Sequence, residues 1–333
     1  MICLLTGGTG GAKFADGLRQ VIPPEEITVI VNTGDDLLWW GLYVSPDIDS
    51  IAYVLSGLLS RERGWGVKGD TFLCLQMMRQ IGEPAWFSTG DRDLAMHLSR
   101  SRHLAEGKTL SQATSEICGR LGIKARILPM SDSRIETRVD TPSGELSFEE
   151  YFVQRRYQDP VKSVRFAGAS EAKPAPGVIE AILSADVVLI APSNPITSIG
   201  PILAVPGIRE ALRNARGKVL AVSPIVGDTP VAGPAGILMC AQGLPCSIAG
   251  VAKAYEDFLD VLVCDSRDAS TAKTLRSTGL EVQCTQTIMR SAQDKAALAR
   301  FVLSFAKDLD SRAESIPMEA DRSRYSGPTA DQP

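Results

Sequence analysis

Two periodicities alternate along this chain of 333 residues. Residues 2–5 form a short apolar run that ends in Thr6-Gly7-Gly8-Thr9-Gly10-Gly11. Residues 13–20 have helical spacing, Pro23-Pro24 stops them, and residues 27–31 are a β-branched apolar run. Such a run reads as a strand buried on both faces. Strand, glycine loop, helix, strand is the opening of a βαβ unit on a parallel sheet. Helical patterns then dominate, over 47–60, 70–81, 92–105 and 111–121, with Asp91 and Ser111 as natural caps.

Strand patterns return at 125–128, at 134–140 and at 161–166. The second of these alternates and turns at Thr141-Pro142-Ser143-Gly144, a hairpin signal. Helix 178–183, strand 186–190, helix 208–214 and strand 218–222 restore the β/α alternation. Strands at 261–264 and 281–284 close the set, with helices at 269–277 and 292–308. The pattern predicts the α/β class: a Rossmann-like, mostly parallel sheet flanked by helices. A single domain is expected over residues 1–310, with a helical and small β insertion at about 45–170. Residues 311–333 are polar and aperiodic and read as a disordered tail.

Composition narrows the function. The chain is 44% hydrophobic and 22% charged, as a globular protein should be. Its net charge of −4 argues against a nucleic-acid polymer as partner. The only histidines are His97 and His103, which disfavours a His-rich metal centre. Seven cysteines without C-x-x-C spacing exclude a zinc ribbon or a thioredoxin-like motif, and they read as reduced thiols. The first residues read as a strand, not a signal peptide, and no run approaches the roughly 18 apolar residues of a membrane span. The expectation is a soluble, cytoplasmic protein with no membrane partner.

The glycines and acids gather in a few loops. Gly7-Gly8-Thr9-Gly10-Gly11-Ala12-Lys13 sits between a strand and a helix, where a helix N-terminus can hold a phosphate. Its spacing is neither a Walker loop nor a clean G-x-G-x-x-G, and a plain tight turn is the alternative. Asn32-Thr33-Gly34-Asp35-Asp36 follows the second strand, at the edge where ligands of open α/β sheets collect. Its acids suit a ribose, a hard cation or a capping role. Asp47 and Asp49 flank a helix start, and Asp93 and His97 share one helix face at i,i+4. Two further loops follow core strands: Pro192-Ser193-Asn194-Pro195 with Ser198-Ile199-Gly200, and Ser223-Pro224-Ile225.

In collinear order over roughly residues 2 to 305, these segments resemble the CofD family, the 2-phospho-L-lactate transferases of coenzyme F-420 biosynthesis. Arg63-Gly64-Trp65-Gly66, Gly90-Asp91-Arg92-Asp93 and Leu128-Pro129-Met130-Ser131-Asp132 belong to the same set. The resemblance implies transfer of a phospho-acid from a guanosine diphosphate-linked donor to the ribityl hydroxyl of the deazaflavin Fo, releasing GMP. The acid would be 2-phospholactate, phosphoenolpyruvate or 3-phosphoglycerate. Mg²⁺ dependence and a homodimer are implied with it.

On that reading Asp35 and Asp49 are the expected catalytic residues and Mg²⁺ ligands, with Asp36 and Asp47 as near alternatives. Asp49 is also a candidate acceptor of the ribityl proton. Gly8, Thr9, Gly10, Gly11, Lys13 and Asn32 would serve the diphosphate side. Ser193, Asn194, Ser198, Gly200 and Ser223 would recognise the guanosine phosphate. Trp40, Trp65 and His97 would pack on the flat deazaflavin. Some relatives carry a basic residue before Gly-Asp-Arg-Asp, where this chain has Trp86-Phe87-Ser88-Thr89. Two other readings remain: a nucleotide-sugar-binding regulator of the gluconeogenesis-factor type, and a nicotinamide dehydrogenase.

Overall fold

The structure is a computed structural model that describes residues 1–313. Seven strands form one parallel sheet. From one edge to the other they are Glu281–Thr285, Val261–Asp265, Lys218–Val222, Val187–Ile190, Ile2–Thr6, Ile27–Val31 and Arg126–Pro129. The strand Ile2–Thr6 pairs with Ile27–Val31 on one side and with Val187–Ile190 on the other, so the winding reverses there. In open α/β sheets that reversal opens a crevice at the carboxyl ends of the two strands.

The period-2 geometry of a strand explains the continuous apolar runs. Cys3 and Leu5 enter one core with Ile30, Val188 and Ile190. Ile2 and Leu4 enter the other with Val29, Val187 and Leu189. Helix Gly8–Leu18 packs Phe14 and Leu18 into this second core, together with helices Pro46–Leu55 and Leu110–Arg120.

Strand expectations hold to within one or two residues; Ile27–Val31 and Lys218–Val222 match end to end. The first helix begins at Gly8, five residues before the predicted start, because its glycines pack against neighbouring loops. The hairpin Leu37–Trp39 with Leu42–Val44 carries no Asn-Gly or Asp-Gly signal. It turns instead on Trp40 and Gly41, both at positive φ. Caps also differ from expectation. Gly90, not Asp91, precedes helix Asp91–Ala105. Thr109, not Ser111, caps helix Leu110–Arg120 in a reciprocal box with Gln112.

The stretch 45–170 is divided by the main-sheet strand Arg126–Pro129. Helices Pro46–Leu55, Leu73–Gln80, Asp91–Ala105 and Leu110–Arg120 precede it. A three-stranded antiparallel sheet follows, in the order Gly144–Ser147, Glu136–Thr141, Ser163–Ala167. Helix Ala292–Ala313 runs through the first residues of the expected tail, and residues 314–333 lie outside the described residues.

Candidate active site

The site is built around the sheet reversal. Helix Gly8–Leu18 starts there, and its Gly8 N–H donates to Asp47 Oδ1 at 2.6 Å. The next amides of the first turn, Thr9 and Gly10, have no protein acceptor among the described residues. Thr9 and Lys13, one turn apart, are both exposed. The other glycines serve packing. A Cβ on Gly7 would lie 2.7 Å from Asp47 Oδ2, and one on Gly10 or Gly11 would overlap the Pro192 carbonyl or the Thr6 hydroxyl. The loop is thus wedged between the Asn32 loop and the Ala191–Ser198 loop, with its helix N-terminus facing outward.

Asn32 is the hub of the acidic group. Fully buried, it donates through Nδ2 to Asp35 Oδ2 at 2.8 Å, to Asp47 Oδ2 at 2.9 Å and to the Thr197 carbonyl at 3.3 Å. Its Oδ1 accepts from Gly34 N at 2.8 Å, which closes the acidic turn. Asp36 accepts from Ser45 Oγ at 2.6 Å. Asp35 Oδ1 and Asp36 Oδ2 are buried and have no hydrogen-bond partner among the described residues. Both residues line a cleft of ≈ 220 Å³ against the small antiparallel sheet, and Glu149 lines the same cleft.

Burial and mutual repulsion set the electrostatics. Asp35 is held well above the usual carboxylate range by burial and by Asp47, Glu149 and Asp36. Burial lifts Asp36 to about 8 against the pull of Ser45 and Arg100. Burial, with Asp47 and Asp36, lifts Glu149 to about 8. Asp47 rises to about 6 through burial, restrained by Asn32 and the Gly8 amide. None of the four has an ion-pair partner among the described residues.

Asp49 belongs to a second group. Its carboxylate pairs with Arg100, whose Nη1 lies 3.1 Å from Oδ2, and His97 Nδ1 lies 3.3 Å from the same oxygen. His97 Nε2 is 3.7 Å from Asp93, which accepts the Tyr53 hydroxyl. Burial opposes the charge on Asp49, yet Arg100 and His97 outweigh it and hold the carboxyl below its ordinary range. Burial likewise opposes a charged His97, but Asp49 and Asp93 raise it to about 9. Asp49, Asp93 and His97 do offer ligand atoms within 4.8 Å of one another. Two carboxylates there already face Arg100 and an imidazole held protonated, so their charge is balanced. The acids of the site without an ion-pair partner among the described residues are Asp35, Asp36, Asp47 and Glu149.

The remaining expected residues are placed as follows. Ser193 Oγ donates to the Gly7 carbonyl at 2.7 Å and ties the two loops together. Asn194 Oδ1 accepts from Ile196 N at 3.0 Å, and the Asn194 carbonyl receives the Ser198 amide at 3.0 Å. Ser198 packs against Gly7 and Gly8, and Gly200 opens helix Gly200–Ala204 beneath the Phe166 ring. Ser223 Oγ accepts from Ile225 N at 3.1 Å in its own turn. His97 is buried between Asp49 and Asp93. Trp40 donates to the Pro84 carbonyl, and Trp65 stands edge-on to Phe72 beneath Arg63. Sequence reasoning missed Arg100, Tyr53 and Glu149. Arg100 carried a usable signal, since it lies three residues after His97 and seven after Asp93, on one helix face.

Residues 2–299 match the family described as "2-phospho-L-lactate transferase CofD". A 2-phospho-L-lactate transferase of Methanosarcina mazei is 42% identical over 300 residues, 90% of this chain and 98% of the relative. A phosphoenolpyruvate transferase of Streptomyces griseus is 43% identical over 314 residues, 92% of this chain and 99% of the relative. Among solved structures, a UPF0052-family protein of Bacillus halodurans shares the fold, with a TM-score of 0.63 at 19% identity over 91% of this chain and 98% of that one.

Proposed function

The chain belongs to the 2-phospho-L-lactate transferase CofD family and is a transferase; from that premise we propose the reaction it carries out. It moves a phospho-acid group from a guanosine diphosphate-linked donor to the ribityl hydroxyl of Fo in coenzyme F-420 biosynthesis. The new bond joins the ribityl oxygen to the distal phosphorus, the bond from that phosphorus to the bridging oxygen breaks, GMP leaves with the electron pair, and the hydroxyl proton passes to water. The donor's acid is 2-phospholactate, phosphoenolpyruvate or 3-phosphoglycerate. The protein acts as a cytoplasmic homodimer; no helix among the described residues is long and apolar enough to cross a membrane.

One observation carries this reading. Buried carboxylates without a cation stand beside an outward-facing helix N-terminus at the sheet reversal. Helix amides attract the diphosphate, and Lys13, one turn in, adds positive charge. Acids alone would repel that anion, so the site needs a cation between them. Asp35 and Asp36 fit Mg²⁺: each has an unpartnered buried oxygen, and hard cations take oxygen ligands. When bound, the ion neutralises charge on the phosphoryl oxygens. Asn32 keeps Asp35 and Asp47 in place. Asp49 holds the Arg100–His97 network behind that group, with its own oxygens engaged. Ser193 and Ser198 keep the guanosine-side loop against the glycine loop. Asp35→Asn is expected to lower GMP release on the order of 100-fold or more. Unchanged turnover in that variant would remove Asp35 from the mechanism.

A further inference from the structure

The proposed transfer uses no cysteine, yet two cysteines are brought together by the sheet. At the edge opposite Arg126–Pro129, strand Val261–Asp265 runs parallel to the edge strand Glu281–Thr285 and sets Cys264 in register with Cys284. Both side chains enter the same core, Cys264 fully buried and Cys284 half-buried. Both are free thiols, and their sulfurs are 3.6 Å apart. Helix Ala269–Ser277 links the two strands and brings Arg276 to the edge. Arg276 Nε donates to the Val282 carbonyl at 2.8 Å, and its Nη2 donates to Cys284 Sγ at 3.5 Å.

This placement suits a covalent bond. Neighbouring strands lie about 4.8 Å apart, inside the roughly 4.4–6.8 Å that separates the α-carbons of disulfide-bonded residues. The sulfurs need to close from 3.6 Å to about 2.0 Å. The strand that must shift has a neighbour on one side only, so no second ladder resists it. The two thiols also differ in kind. Burial, and then the nearby Cys284, push the Cys264 thiol up, so Cys264 keeps its proton. Cys284 is the more accessible sulfur and stands beside a guanidinium, the setting of a reactive cysteine.

We propose that Cys264 and Cys284 are a redox-active dithiol that hydrogen peroxide closes to a disulfide. Cys284 sulfur attacks one peroxide oxygen, the O–O bond breaks, and Cys284 becomes a sulfenic acid as one water leaves. Cys264 sulfur then attacks the Cys284 sulfur, the S–O bond breaks, and its oxygen leaves with the Cys264 proton as a second water. The thiol pair gives up two electrons and the peroxide takes them. The bond fastens the open edge of the sheet and closes residues 264–284 into a loop, which restricts the unfolded chain.

The test treats the fully reduced full-length chain with a slight excess of hydrogen peroxide and maps its peptides by mass spectrometry. The expected product is two hydrogens lighter, joins the peptides of Cys264 and Cys284, melts at a higher temperature, and returns to the starting mass with dithiothreitol. In Cys264→Ser the reaction should stop at a sulfenic acid on Cys284, which dimedone captures. In Cys284→Ser dimedone should capture nothing at Cys264. A wild-type chain whose Cys264 and Cys284 peptides stay unjoined would overturn the proposal. So would a bond formed instead between Cys240 and Cys246. Capture at Cys264 in Cys284→Ser would overturn the order of attack.

Discussion

Asp49 and Arg100 are buried against each other, so each depends on its partner. Arg100→Met would leave Asp49 in the interior without its guanidinium. Removing one partner of a buried pair costs about 3–5 kcal/mol, which urea denaturation would register. A loss below about 1 kcal/mol would mean that water already reaches the pair. Gly10 is constrained in a different way. Its missing side chain makes room for the Pro192 carbonyl, so Gly10→Ala must push the two loops apart, at a cost of about 1–3 kcal/mol. The same urea measurement checks it.

The raised acids make a pH prediction with a definite sign. Asp36 and Glu149 are held up to about 8 by burial, well above their ordinary values. Between about pH 4 and about pH 8 the folded metal-free chain therefore binds more protons than the unfolded one, and its stability falls as pH rises. His97 acts in the same direction at higher pH. Its contribution is complete below the ordinary histidine value and is lost as pH rises through about 9. Asp49 has the opposite sign, since its contribution is present above the ordinary carboxylate range and is lost on acidification below it. In chelator, the melting temperature should decline from about pH 5 to about pH 9. A flat or rising profile over that range would contradict the charge assignment.

Between elements, acids reach across to cap each other's helices. Asp70 accepts the amides of Arg92 and Asp93, at 2.7 and 3.1 Å, at the start of helix Asp91–Ala105. Asp91 accepts the amides of Leu73 and Cys74, at 3.0 and 2.9 Å, at the start of helix Leu73–Gln80. Each carboxylate also complements the positive end of the other helix. Asp70→Ala or Asp91→Ala should cost about 1 kcal/mol and speed amide hydrogen exchange in the first turn of the helix it caps. Unchanged exchange in those turns would show that water replaces the cap. Local spacing points to Asp91 as the cap of its own helix, because the pairing with a helix some twenty residues away is visible only after folding. Gly90 bears the other half of this arrangement, since a Cβ there would collide with the Asp70 carboxylate.

For the molecule as a whole, the parallel sheet was legible because a strand buried on both faces must be apolar at every position. Ile27–Val31, with Thr28 its one polar residue, and Lys218–Val222, apolar after Lys218, come close to that condition and stand out. The glycine loop, Asn32 and the acid pair were legible too, because they lie at strand ends, where such sheets collect ligands. The partners of those acids were not. Glu149 stands between Phe148 and Tyr151 in a stretch without a ligand motif, and only the fold puts it in one cleft with Asp35 and Asp36. Arg100 sits in a helix whose charges look like a solvated face until Asp49 packs against them.

The central claim is tested most directly by weighing the product. The protein is incubated with Mg²⁺, Fo and, in turn, guanosine diphosphate-linked 2-phospholactate, phosphoenolpyruvate and 3-phosphoglycerate, and the mixtures are read by mass spectrometry. GMP and a phosphodiester of Fo are expected in equal amounts with at least one donor, both lost when the metal is chelated. Neither product with any of the three donors would contradict the claim.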